Sequence, residues 1–239
     1  MKLPKAVLFD LDDTILDTES TGEASWLATC ERIAKTIPGL DPLALHQEIK
    51  THRIWYWSDA QREQAGRLNL HSARVQFVGM ALTRLGVHDP ELPNLIASTH
   101  LQLSSEKLVF FPRALETLRW FRERNVPLGL ITNGATQRQR WKIDRFQLTE
   151  YFGVIVVEGE FGVGKPHPSV FEHALRTLQV SARDTWMVGD KLEWDIGPPQ
   201  ALGIFGIWND FRKAGLPPNS PVAPSRIIHS IAELMQTPD

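Results

Sequence analysis

The stretch Ala6-Val7-Leu8-Phe9-Asp10-Leu11-Asp12-Asp13-Thr14-Ile15-Leu16 limits the fold of this chain more than any other. An apolar run too short for a typical helix ends in three carboxylates within four residues, followed by Thr14. Such a run reads as a fully buried strand of a parallel sheet. Parallel sheets bind ligands outside the carboxyl ends of their strands, where these acids would stand. Asp10 and Asp12, two apart, project toward one side of an extended chain. Crowding them is costly unless a cation or a shared proton compensates. The alternative is an N-capping Asp cluster that opens a helix.

Composition sets the outer limits. The 239 residues suffice for one large domain or a core with a smaller companion. A net charge of −2 offers no argument for a nucleic-acid polymer or a membrane surface as partner. Cys30 is the only cysteine, which excludes an intrachain disulfide and suits a reducing compartment. The opening Met1-Lys2-Leu3-Pro4-Lys5 lacks the pattern of a signal peptide, and no apolar run is long enough to span a bilayer. A cytoplasmic α/β protein is expected.

From about Thr18 to Lys107 the pattern is helical, with Ala24, Leu27, Ala28 and Ala34, then Val75, Val78, Leu82 and Leu85, at helical spacing. Turn signals at Pro38-Gly39, Asp41-Pro42, Gly86 and Asp89-Pro90 divide it into a bundle of about four helices. From Phe111-Pro112 onward strands and helices alternate. The spacing predicts strands over 126–132, 152–157, 186–189 and 204–208, and helices over 114–124, 136–146, 168–178 and 230–236. The fold class is therefore α/β, a Rossmann-like doubly wound parallel sheet with an inserted helical-bundle cap. The expected division is a core of 1–16 and 112–239 and a cap of 17–111.

Four strand ends carry or lead into polar groups. The first has Asp10, Asp12 and Asp13, and the second ends Thr132-Asn133-Gly134. The third leads into the glycine-rich run Gly159 to Pro166, which holds Lys165; the fourth ends Gly189-Asp190, with Asp195 five residues on. Each taken singly reads equally well as a helix cap or a solvated loop residue. Their coincidence at one sheet edge is what those readings leave unexplained.

These motifs resemble those of the haloacid dehalogenase-like hydrolase superfamily. Phe9-Asp10-Leu11-Asp12-Asp13-Thr14 is similar to its first motif, Ile131-Thr132-Asn133 to its second and Gly164-Lys165-Pro166 to its third. Val188-Gly189-Asp190 with Asp195 is similar to its fourth. The resemblance implies a Rossmann-like core with a helical cap between the first two motifs. It implies that Asp195 supports the metal or Lys165. It also separates reactions, since 2-haloacid dehalogenases of the superfamily usually lack an acid where Asp12 stands. Thr132-Asn133-Gly134, Gln137, Gln139 and Lys142 further resemble the branch of pyrimidine 5′-nucleotidases and N-acylneuraminate-9-phosphatases, with Gln137 and Lys142 on the exposed face of their helix.

The chemistry accounts for the same residues. A carboxylate nucleophile meets an anionic phosphate monoester only if the repulsion is cancelled. Mg2+ on oxygen ligands does this, with Asp10, Asp12 and Asp190 as the expected metal set and Asp10 and Asp190 as the natural protein ligands. Lys165 and Thr132 face the phosphoryl oxygens, and Asn133 and Gly134 are expected to bind substrate. Asp10 attacks phosphorus and forms an aspartyl-phosphate. Asp12 protonates the leaving alcohol and then deprotonates water, a role that calls for a pKa raised relative to that of Asp10. The expected activity is a phosphatase acting on a small phosphorylated metabolite, with a phosphomutase on the same site as the alternative and a 2-haloacid dehalogenase behind both.

Three features fall outside the motifs. Gly197-Pro198-Pro199 replaces the Gly-Ala pair usual after Asp195, and proline is tolerated in a first helical turn there. In the cap, Trp55 and Trp57 are placed either to stack on a base or flavin ring, with Arg53 on a second anionic group, or to pack between helices. Trp194 lies near the site in sequence, and His167 reads as a solvated loop histidine.

Overall fold

The computed structural model describes residues 2–236. They divide into two compact units, Met1–Asp17 with Phe110–Asp239, and Thr18–Val109. The chain leaves the first unit through β2 (Leu16–Asp17), after β1 (Ala6–Phe9), and traverses a helical unit of five helices. These are α1 (Glu19–Ala34), α2 (Pro42–Trp57), α3 (Ala60–Leu68), α4 (Leu70–Arg84) and α5 (Leu92–Lys107). It returns through β3 (Val109–Phe110) into α6 (Ala114–Glu123), β4 (Leu128–Thr132), α7 (Thr136–Arg145), β5 (Val154–Val157), α8 (Glu158–Phe161) and α9 (Pro168–Leu178). Then follow β6 (Thr185–Gly189), a π-helical turn over Leu192–Ile196, α10 (Gly197–Ala201), β7 (Phe205–Asn209) and β8 (Arg226–Ile228).

The first unit is built on a six-stranded sheet in the order β5-β4-β1-β6-β7-β8, with every pairing parallel. All four residues of β1 and all five of β4 and β6 are buried, as expected of strands covered on both faces. Leu8, Ile131, Val156, Met187 and Ile204 meet Phe171 and Ala174 of α9 in one core cluster. The strand order grows outward from β1 in both directions, so the switch point lies at the carboxyl end of β1, between β4 and β6. Val7 registers with Leu128 on one side and Trp186 on the other.

The acids after β1 do not cap a helix. Asp13 takes a left-handed φ of 60°, and the chain turns back on itself as the amides of Ile15 and Leu16 bond to the Leu11 carbonyl. The first helix begins only at Glu19. Nor is the run after β5 all loop, since its first residues wind into α8.

In the helical unit, Trp26, Cys30, Leu45, Ile49, Phe77, Val78, Leu82 and Ile96 form the core. The fifth helix, absent from the sequence expectation, is α3. Its sequence AQREQAGRL buries only Gly66, so apolar spacing has nothing to mark; Asp59 caps it, accepting from the Arg62 amide at 2.9 Å. Trp57 packs against this unit's core, with the Tyr56 ring edge-on at 5.1 Å. Trp55 is exposed and carries the Arg62 guanidinium over its ring at 4.0 Å. Arg53 is engaged with Glu23 at 2.5 Å, so its charge is already paired. No helix among the described residues is long and apolar enough to cross a membrane.

Candidate active site

Asp10 follows β1 directly, and its amide donates to the Val188 carbonyl of β6 at 2.9 Å. That bond ties the first acid to the strand that ends in Asp190. Lys165 reaches the same place from the loop after α8. Its ammonium donates to Asp10 Oδ1 at 2.5 Å and to Asp195 Oδ1 at 2.6 Å, with all three side chains buried. Asp195 Oδ2 accepts from the Lys191 amide at 2.9 Å. The double proline leaves Asp195 well placed: the π-helical turn sets it against Lys165, and α10 starts with Gly197-Pro198-Pro199 in its first turn. A Cβ on Gly189 would overlap the Asp195 carboxylate, so β6 must end in glycine for this approach.

Asn133 and Gly134 tie the end of β4 to the segment that follows β5. The Asn133 side chain donates from Nδ2 to the Lys165 carbonyl at 2.7 Å and accepts at Oδ1 from the Lys165 amide at 2.7 Å. Both polar atoms thus hold Lys165, and Asn133 also lines the cavity at the acid cluster. Gly134, at φ 125°, donates its amide to Glu158 Oε2 at 2.9 Å and accepts at its carbonyl from Gly159. Only glycine takes that backbone angle readily.

Asp12 is held by α7. Lys142 Nζ lies 2.7 Å from Asp12 Oδ1 and 2.6 Å from Oδ2, and Gln139 Nε2 donates to Oδ2 at 3.0 Å. Gln139 Nε2 also donates to Thr132 Oγ1 at 2.5 Å, which leaves the threonine hydroxyl hydrogen to be given elsewhere. Sequence reading placed Lys142 on the exposed face of its helix. It is 6 % exposed and Gln139 2 %, while Gln137 is on the surface.

The electrostatics are those of an acid cluster short of positive charge. Burial pushes Asp10 up to about 7, against the pull of Lys165. Burial likewise raises Asp190 well above the usual carboxylate range, against Lys191. Burial pulls Lys165 down, but Asp10 and Asp195 together outweigh it and hold its ammonium above the ordinary value. The group pushed up is Asp10, while the Asp12 carboxylate faces the Lys142 ammonium.

Asp10, Asp190 and Asp195 each offer a carboxylate oxygen, all within 4.8 Å of one another. Asp190 Oδ2 is sealed from solvent with no hydrogen-bond donor aligned to it, its nearest charge being Lys191 Nζ at 3.2 Å. An all-oxygen donor set with one unsatisfied buried oxygen fits a small hard cation. Asp12 lies outside this cluster, its carboxylate turned to Lys142 and Gln139. A cavity of about 90 Å³ opens on the cluster, lined by Asp10, Asp12, Thr132, Lys165, Asp190 and Trp194 among others. His167 lies away from that lining: it is exposed and caps α9, its Nδ1 accepting from the Ser169 amide at 3.3 Å.

Comparison with known proteins bears on the same residues. Residues 4–203 match the family model of haloacid dehalogenase-like hydrolases. The chain is 26 % identical over 203 residues to the glyceraldehyde 3-phosphate phosphatase of Methanocaldococcus jannaschii, covering 85 % of this chain and 83 % of that one. It is 30 % identical over 249 residues to the N-acylneuraminate-9-phosphatase of Rattus norvegicus, covering 96 % and 92 %. Its fold is similar to that of the HAD-hydrolase YfnB from Bacillus subtilis bound to magnesium, with a TM-score of 0.75, 22 % identity and 98 % of each chain covered. With the family model spanning all four strand ends of the site, the chain belongs to the haloacid dehalogenase-like hydrolases.

Proposed function

We propose that this protein is a Mg2+-dependent phosphatase that hydrolyses a small phosphate monoester through an aspartyl-phosphate on Asp10. The observation that carries this reading is the pair of acids at the end of β1, each held by its own buried lysine. Lys165 holds Asp10 within the acidic cluster, and Lys142 holds Asp12 to one side of it. The relatives named as phosphatases, acting on glyceraldehyde 3-phosphate and on an N-acylneuraminate 9-phosphate, support the substrate class.

In the first half-reaction an Asp10 carboxylate oxygen bonds to phosphorus and the bond from phosphorus to the ester oxygen breaks. The electron pair stays on that oxygen, which takes the proton from Asp12. Lys165 and the Thr132 hydroxyl donate to the phosphoryl oxygens as their charge redistributes. In the second half-reaction water bonds to phosphorus and loses a proton to Asp12. The bond from Asp10 to phosphorus then breaks, and both carboxyls return to their starting forms. Asp10 and Asp190 would hold Mg2+ with Asp195 alongside, and the ion supplies positive charge that offsets repulsion between nucleophile and phosphate. Asn133 and Asp195 keep Lys165 in place throughout.

Release of inorganic phosphate from a panel of sugar phosphates, nucleotides and other phosphate monoesters with Mg2+ tests the reading. Mg2+-dependent release from at least one member is expected. Isomerised sugar phosphate without free phosphate would instead show transfer to a hydroxyl, and no reaction on any member would contradict the assignment.

A further inference from the structure

We propose that Lys142 is a positioning residue for the acid–base step, acting through Asp12 with Gln139 as its brace. The proposal rests on the phosphatase reading, since it concerns the acid of that reaction. Lys142 and Gln139 stand three residues apart on α7 and so share a face of the helix. Both side chains are buried. An ammonium has three N–H bonds, and three acceptors surround this one: Asp12 Oδ1 at 2.7 Å, Asp12 Oδ2 at 2.6 Å and Gln139 Oε1 at 2.8 Å. The orientation of the Gln139 amide follows from chemistry, because its other orientation would point an NH2 group at the ammonium. With Oε1 toward Lys142, Nε2 meets Asp12 Oδ2 at 3.0 Å and Thr132 Oγ1 at 2.5 Å.

Plain charge compensation would need only one contact to Asp12. Here both carboxylate oxygens are engaged from the α7 side, and the same amide reaches the threonine at the end of β4. The Asp12 carboxylate cannot rotate without breaking two or three bonds to buried groups, and breaking them leaves donors unsatisfied. A group that gives a proton to the leaving oxygen and later takes one from water needs that fixed orientation twice per turnover. Lys142 remains an ammonium in this account; its part is geometric. Sequence alone hides it, because the helix presents Trp141 at the neighbouring position and a lysine beside a tryptophan reads as the solvent-facing one.

The experiment compares two aryl esters of similar shape. Phenolate leaves with a conjugate pKa near that of tyrosine, about 10, and benefits from protonation. The p-nitrophenolate ion leaves readily unprotonated. The quantity measured is kcat/KM, which includes the steps up to release of the phenol and not the later hydrolysis of the phosphoenzyme. For Lys142→Met we expect kcat/KM on phenyl phosphate to fall on the order of 10- to 100-fold, and on p-nitrophenyl phosphate by less than about 3-fold. Gln139→Met, which leaves the ion pair in place, shows the same preference with smaller losses. In an Asp12→Asn background Lys142→Met costs less than about 2-fold further on phenyl phosphate, because the partner it acts through is gone. Equal losses on both esters, or losses that multiply with those of Asp12→Asn, would overturn the inference and leave the phosphatase reading standing. No phosphate release by the wild-type protein from either ester would overturn that reading, and this inference with it.

Discussion

Asn133 and Lys165 exchange two hydrogen bonds, the side-chain amide of one pairing with the backbone N–H and C=O of the other, both at 2.7 Å. The end of β4 thereby fixes the backbone of a loop residue whose ammonium lies between Asp10 and Asp195. Asn133→Ala removes both bonds and leaves the donor and acceptor of a buried residue unmatched, at a cost of about 1–3 kcal/mol. The melting temperature should fall, and kcat/KM for phosphate release should drop about 10-fold or more as Lys165 loses its register. Asn133→Asp restores the acceptor but not the donor and should recover only part of either. Full activity in Asn133→Ala would show that the loop holds Lys165 without help.

The close approach of Asp195 to the end of β6 gives a second test. A methyl group on Gly189 would overlap the Asp195 side chain, and that side chain is itself anchored to Lys165 and to the Lys191 amide. Gly189→Ala must displace the carboxylate or the strand, at about 1–3 kcal/mol. Lower thermal stability and impaired turnover are expected together. A variant as stable and as active as wild type would mean that the turn yields freely.

The acidic cluster predicts how Mg2+ and pH act together. Burial moves the Asp10 carboxyl from 3.8 up to about 7. A raised folded-state pKa contributes stability that is complete below the unfolded value of about 4 and is lost as pH rises through about 7. Binding Mg2+ requires the carboxylate, so the ion competes with a proton at low pH and not at high pH. The rise in melting temperature on adding MgCl2 should therefore be small near about pH 5.5 and larger near about pH 8. An equal rise at both would contradict the assignment of Asp10 as a ligand.

Cys30 lies in the core of the helical unit, fully shielded from solvent, and burial pushes its thiol up to about 12. The thiol is the wrong form for nucleophilic attack below that pH. A chromogenic disulfide reagent at neutral pH should find no reactive thiol in the folded protein and one per chain after denaturation. Rapid reaction in the folded state would show that α1 and its neighbours open readily.

What was legible in the sequence was local. Asp10, Thr132 and Asp190 stand at the ends of short apolar runs and Lys165 in the glycine-rich run that follows another, and the order of those runs fixes which ends share an edge of the sheet. The parallel sheet itself followed from runs such as 152–157 and 186–189, whose continuous hydrophobicity requires cover on both faces. The contribution of α7 was not legible, because hydropathy points the wrong way there. Trp141, the apolar residue, is 36 % exposed between the guanidinium groups of Arg138 and Arg145, while Lys142 beside it is buried on Asp12. A lysine turns inward only when a carboxylate awaits it, and that carboxylate is 130 residues away in the chain. The bonds of Asn133 to Lys165 were hidden for the same reason, since a residue beside a motif does not reveal which neighbour its amide will meet. The helix α3 escaped notice because its polar faces leave no period to detect.

The central claim is that Asp10 is the group that takes the phosphoryl. Asp10→Asn keeps the size and the contact to Lys165 but removes the nucleophilic carboxylate. Steady-state hydrolysis of p-nitrophenyl phosphate with Mg2+ should fall by at least about 10³-fold, with the folded state retained by circular dichroism. Turnover by Asp10→Asn at the wild-type rate would contradict the account.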